Sequence, residues 1–182
     1  MRVIGIDLGT ICCGYGILEV RNKKLEVRSK ESKNFLLPTS EFPLYVASGV
    51  IRMNSKTPLP ERLKYLYTSL KKIINEYKPS QLCIEKIFYH KSISSAFALG
   101  STRGIAMLLA AEDDMPVFEY NATELKMALT GYGRAEKRQV KEMVIRILNL
   151  NLSSQKIEAL SEDTTDALAL CVCHINNQTG YK

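Results

Sequence analysis

Two short apolar runs in this chain each stop on a carboxylate. Residues 2–7 (RVIGID) are β-branched and end at Asp7, with Leu-Gly-Thr following as a turn; residues 81–85 (QLCIE) form a second strand-like run ending at Glu85. An amphipathic helix lies between them. Pro60 suits its start, Leu63, Leu66, Tyr67, Leu70, Ile73, Ile74 and Tyr77 mark one stripe, and Pro79 stops it. A helical crossover returns the chain to the same sheet, parallel to the strand it left. Both acids then emerge at one carboxyl edge, where open α/β sheets place their sites.

The rest of the pattern agrees with such a sheet. Further strands are expected at 12–20 (CCGYGILEV), near 45–53 (YVASGVIRM) and at 115–120 (MPVFEY), with helices over 93–112 and near 122–130, 135–149 and 162–176. Residues 21–42, basic and then Pro-punctuated, read as a hairpin extension or excursion. The order β-β-β-α-β-α-β-α-α-α predicts a ribonuclease H-like α/β architecture. Three antiparallel strands are continued by parallel ones, with helices on both faces. The length of 182 residues fits a single domain, 1–182, with a substantial core.

Asp163 and Asp166 stand three apart at the start of the last helix and share a face. Docking that helix start against the sheet edge gathers four acids: Asp7, Glu85, Asp163 and Asp166. Such a set suits phosphodiester hydrolysis, in which two hard cations about 4 Å apart serve both ends of an in-line displacement. Mg²⁺ prefers oxygen ligands and keeps several waters, so a few carboxylates suffice, and Mn²⁺ is a plausible substitute. Without metal the acids repel, which predicts raised pKa values. Taken singly, each acid has an ordinary role: Asp7 can organise a turn, Glu85 can be a solvated strand end, Asp163 can favour a helix N-terminus, and Asp166 can face solvent. Their joint placement at three element ends carries the reading.

The net charge of +6 favours a polyanionic partner. Arg134, Lys137, Arg138 and Lys141 build one basic helix face, opposite Val140, Met143, Val144, Ile147 and Leu148, and follow Gly131-Tyr132-Gly133. A solvated charged face is the ordinary alternative; a flexible loop and helix start that can approach a backbone favours phosphate contacts. Phe88 and Tyr89 lie among Lys86, His90 and Lys91, a setting for stacking on unpaired bases or for covering the core edge. Gly100 and Gly104 inside a helix suggest close helix approach. The five cysteines, odd in number and without C-x-x-C spacing, read as core-filling thiols in a reducing cytoplasm. The N-terminus reads as a strand, and no apolar run is expected to reach bilayer-spanning length, so a soluble cytoplasmic protein is expected.

Four ordered segments carry a resemblance: GIDLGT with GYGI, IEKIFYHKSISSAFALGSTRGIA, PVFEYNATELKMALTGYGRAEKRQVKEMV, and EDTTDALALCVCH. Over nearly its whole length the chain resembles the RuvC Holliday-junction resolvases. The resemblance implies a Mg²⁺-dependent homodimer that makes paired nicks in four-way DNA junctions and works with branch-migration machinery. It aligns Asp7, Glu85, Asp163 and Asp166 with the family's catalytic and metal-holding acids. It aligns Phe88 with an aromatic that contacts bases, and Lys126 and Lys137 with basic residues associated with DNA and the scissile phosphate. Leu8 departs from the family's usual Asp-Pro-Gly, and residues 21–42 are longer than the family pattern. GIDLGT also resembles the phosphate-binding turn of actin-like ATPases, but those need two related lobes and this chain is too short. A module that binds structured nucleic acid without cutting it is the other alternative.

Overall fold

The computed structural model describes residues 1–20, 43–86, 92–150 and 160–179. Its five strands are β1 (Arg2–Asp7), β2 (Cys12–Val20), β3 (Pro43–Arg52), β4 (Gln81–Glu85) and β5 (Val117–Tyr120). The described helices are α1 (Leu59–Tyr77), α2 (Ile93–Glu112), α3 (Ala122–Thr130), α4 (Lys137–Ile147) and α5 (Glu162–Thr179). Every strand and helix expected from the sequence forms, with boundaries shifted by a few residues. The 21–42 excursion and the Phe88, Tyr89 and His90 segment lie outside the described residues.

The sheet order is β3-β2-β1-β4-β5. β1 runs antiparallel to β2 and β2 to β3, while β1–β4 and β4–β5 are parallel. The helix α1 supplies the crossover. Pro58 and Pro60 frame its start, and it ends with Lys78 in the left-handed region just before Pro79. Its stripe buries Leu66, Leu70 and Ile74.

Strand alternation sends side chains to two cores. Ile4, Ile6, Ile17, Leu82 and Ile84 pack with Leu66 and Leu70 of α1 and Leu109 of α2 on one face. Val3, Leu18 and Cys83 pack against α5 on the other, where Leu125, Leu129, Val140 and Val144 of α3 and α4 close the outer side. Residues 167–175 of α5 are buried without a break, because this helix is covered by sheet beneath and helices above. That explains how Cys171 and Cys173, on different faces, are both interior. Cys171 Sγ lies 3.4 Å from the Gly16 carbonyl, and Cys173 faces the Glu124 carbonyl. Burial pushes both thiols well above their ordinary pKa, Cys173 to about 12, as expected of inert core fillers.

One expectation is corrected. α2 is long and apolar enough to cross a bilayer by length and composition alone, and only 22% of its apolar stretch is buried. Its apolar residues lie on the outer face as well as the inner one: Ile93, Phe97, Met107 and Leu108 are exposed.

Candidate active site

β1 and β4 bring the first two acids together. Their register runs from Val3↔Gln81 to Ile6↔Ile84, so Asp7 and Glu85 are the next residues at the same edge. Across the antiparallel pair, Asp7 stands opposite Gly14. A β-carbon added at Gly14 would overlap the Asp163 carbonyl and lie 2.9 Å from Asp163 Cβ. The absence of a side chain at Gly14 therefore lets the α5 start lie on the strand beside Asp7. Gly5 and Gly16 extend this seat, where added β-carbons would meet Ala167, Cys171 and Leu168.

The α5 start is itself well built. Ser161 Oγ accepts from the Thr164 backbone N–H at 3.2 Å, and the Ser161 carbonyl accepts from Thr165 at 3.0 Å. Asp163 and Asp166 follow on the half-buried side, Asp166 reaching toward Lys137.

The electrostatics report the convergence. The Asp7 carboxyl is raised from 3.8 to about 7, first by burial and then by Asp166, Asp163 and Glu85, with Lys137 opposing. Asp166 is also raised, by burial and its acidic neighbours, against the pull of Lys137. The expected raised carboxylates are therefore present. Among the described residues, however, no three acidic, histidine or cysteine groups close to the spacing of a finished ion cage. Coulomb repulsion acts over longer distances than metal–oxygen bonds, so these shifts register acids that neighbour one another without sharing one ion's coordination distance. An all-oxygen, open set at one edge fits a Mg²⁺ ion that retains most of its waters.

Lys137 sits at the rim. Its Nζ lies 2.9 Å from Glu162 Oε2 and 3.8 Å from Asp166 Oδ2. With Arg138, Lys141, Glu162, Thr165 and Asp166 it lines a groove of about 220 Å³, at which the N-termini of α4 and α5 meet. Lys141 Nζ donates to the Leu160 carbonyl at 2.6 Å, and Arg138 pairs with Glu142 at 3.2 Å. Arg134 is exposed and Lys126 half-buried on α3.

Three participants were not singled out from the sequence: Glu162, Gly14 and Arg103. Arg103 donates to the Glu85 carbonyl at 3.1 Å and pairs with Glu119. Glycines inside a strand and one cation inside an apolar helix were the available signals. His174 is fully buried. Its Nε2 donates to Gln81 Oε1 at 2.8 Å, and its Nδ1 accepts from the Tyr120 hydroxyl at 2.6 Å.

Comparisons with known proteins agree with this layout. The family model "Crossover junction endodeoxyribonuclease RuvC" matches residues 38–174. The crossover junction endodeoxyribonuclease RuvC of Cupriavidus metallidurans is 41% identical over 176 residues, covering 97% of this chain and 84% of that protein. Its counterpart in Saccharophagus degradans is 40% identical over 176 residues, covering 97% and 88%. The solved Thermus thermophilus RuvC structure superposes with a TM-score of 0.78 at 24% identity, covering 99% of this chain and 97% of the other. That likeness shows the fold.

Proposed function

The chain belongs to the RuvC family of crossover junction endodeoxyribonucleases, and from that membership we propose that it resolves four-way DNA junctions by metal-dependent phosphodiester hydrolysis at the Asp7 edge. The observation that carries the reading is the meeting of the β1 and β4 ends with the α5 start, which seats Asp163 on Gly14 beside Asp7 with Glu85 at the same edge; burial and these acids raise the Asp7 carboxyl to about 7. A fold has little reason to keep such a repulsive cluster unless a cation completes it.

Asp7 and Glu85 are the direct metal ligands in this reading, with Asp163 and Asp166 completing the set. Bound Mg²⁺ would supply Lewis-acid polarisation of the phosphate and an activated water. The remaining work falls to the chain. The carboxylates orient the attacking water, and Asp166 is steadied by the Lys137 ammonium 3.8 Å away. Lys137, Arg138 and Lys141 bind the strand's phosphates at the meeting point of two helix N-termini, whose partial positive charge adds to theirs. Arg134 and Lys126 extend the basic track, and Phe88 is assigned to stacking on bases at the branch point.

The outer face of α2 supports a homodimer. Ile93 and Phe97 are 65% and 75% exposed, and nothing lies within 4 Å of β-carbons added at Gly100 and Gly104. An apolar stripe with bare glycines suits close pairing with a second copy, and a two-fold dimer matches the paired strands of a junction. Phe97→Asp should leave a folded monomer in sedimentation velocity. Cooperation with branch-migration machinery and a cytoplasmic location belong to the same reading.

The test is an Asp7→Asn variant with a synthetic four-way junction. It should bind the junction and fail to nick it in Mg²⁺; retained nicking would overturn the assignment. Junction, duplex and RNA–DNA hybrid should be compared with the wild-type chain, and preference for the hybrid would instead indicate a ribonuclease.

A further inference from the structure

We propose that Arg103 is a positioning residue for Glu85: its guanidinium ties the last residue of β4 to β5 and α2, and so holds the Glu85 carboxylate at the acidic edge. The proposal rests on Glu85 being a metal ligand.

Glu85 occupies an exposed position at the end of its strand. The ladder to β1 stops at Ile6↔Ile84, one residue short of it. On the other side Glu85 pairs with Tyr120, and the Lys86 N–H reaches the Tyr120 carbonyl at 2.9 Å. Arg103 adds an anchor from a third element. One Nη donates to the Glu85 carbonyl at 3.1 Å, and the other engages the Glu119 carboxylate of β5. The Arg103 side chain is only 16% exposed, and it is the one basic residue in α2. A cation on a half-covered apolar helix is costly unless its donors are satisfied, and here both ends of the fork are used. A planar guanidinium can grip a carbonyl and a carboxylate in fixed directions at once; a lysine ammonium on its flexible stem holds neither direction. Groups that orient a metal ligand without touching the metal commonly alter affinity by tenfold or more.

The experiment compares Mn²⁺ binding, followed by electron paramagnetic resonance without DNA and well below the unfolding temperature, in the full chain and its variants. Arg103→Gln should weaken Mn²⁺ binding about tenfold and raise the Mg²⁺ needed for half-maximal nicking in step, with metal-free junction binding unchanged. Arg103→Lys should recover part of the loss, because the Glu119 pair survives. Glu119→Gln, which removes one anchor and leaves the arginine, should move both readings the same way by less, and it decides the matter if Arg103→Gln does not fold. Glu85→Gln serves as the reference. If Glu85→Gln loses Mn²⁺ while the Arg103 and Glu119 variants bind as wild type, Arg103 is merely structural and the proposal falls. If Glu85→Gln itself binds Mn²⁺ normally, the ligand assignment fails first and takes this proposal with it.

Discussion

Gly14→Ala tests whether the seat of α5 sets the active site. Gly14 lies outside the left-handed region, since Gly131 is the one glycine with positive φ among the described residues. Alanine therefore suits its backbone, and the change is steric. The new methyl would lie 2.9 Å from Asp163 Cβ and nearer still to that residue's carbonyl, whereas ordinary contact begins at 3.4 Å. Neighbouring atoms here are backbone, not a flexible side-chain tip, so the helix start must retreat by about 1 Å, a misplacement that can cost about 100-fold in rate. Overpacking of this kind typically costs about 1–3 kcal/mol. At about 2–4 °C per kcal/mol for a chain of this size, a loss near 2 kcal/mol lowers Tm by about 4–8 °C. Thermal unfolding and single-turnover nicking of a four-way junction at 25 °C measure the two effects. A lowered Tm with wild-type nicking would refute the argument, because α5 would then have moved without disturbing the acids.

Three further outcomes follow from the same geometry. The Asp7 pKa is 3.8 in its ordinary state and about 7 when folded, so between these pH values the folded protein holds a proton that the unfolded chain has released. Stability from this group falls as pH rises through that window and levels off above about 7; Tm measured without metal from pH 5 to 8 should show a decline that Asp7→Asn abolishes and Mg²⁺ offsets at pH 8. Lys137→Gln removes ion pairs whose side chains are 67–70% exposed on the Glu162 side, so stability should change by less than about 1 kcal/mol. The slope of log junction affinity against log salt should fall by about one, and an unchanged slope would remove Lys137 from the DNA track. His174→Leu removes a hydrogen-bond partner from the half-buried Gln81 amide and from the half-buried Tyr120 hydroxyl, which Asn177 also engages, and this should cost about 1–2 kcal/mol in denaturant unfolding while leaving nicking by the folded fraction intact.

Local pattern was enough for the elements and their order. The β-branched run to Asp7, the stripe from Leu66 to Ile74 and the prolines around α1 state strand, helix and breaks within a few residues of each other, and these signals do not depend on distant contacts. The crossover rule then puts Asp7 and Glu85 at one edge, since parallel neighbours share a direction. Which atoms approach, however, was settled across the fold. Gly14 and Asp163 are far apart in the chain, and only their packing shows that the missing side chain seats the helix. Arg103 reads locally as an odd cation in an apolar helix; its two anchors, Glu85 and Glu119, belong to separate strands. Lys137 reads as part of a basic face, yet it rests on Glu162 and Asp166 because the α4 and α5 starts converge. Residue type and period encode what each segment is. The charges and clearances that act at the site are pairwise and fall off over a few ångströms, so they exist only once the segments have been packed.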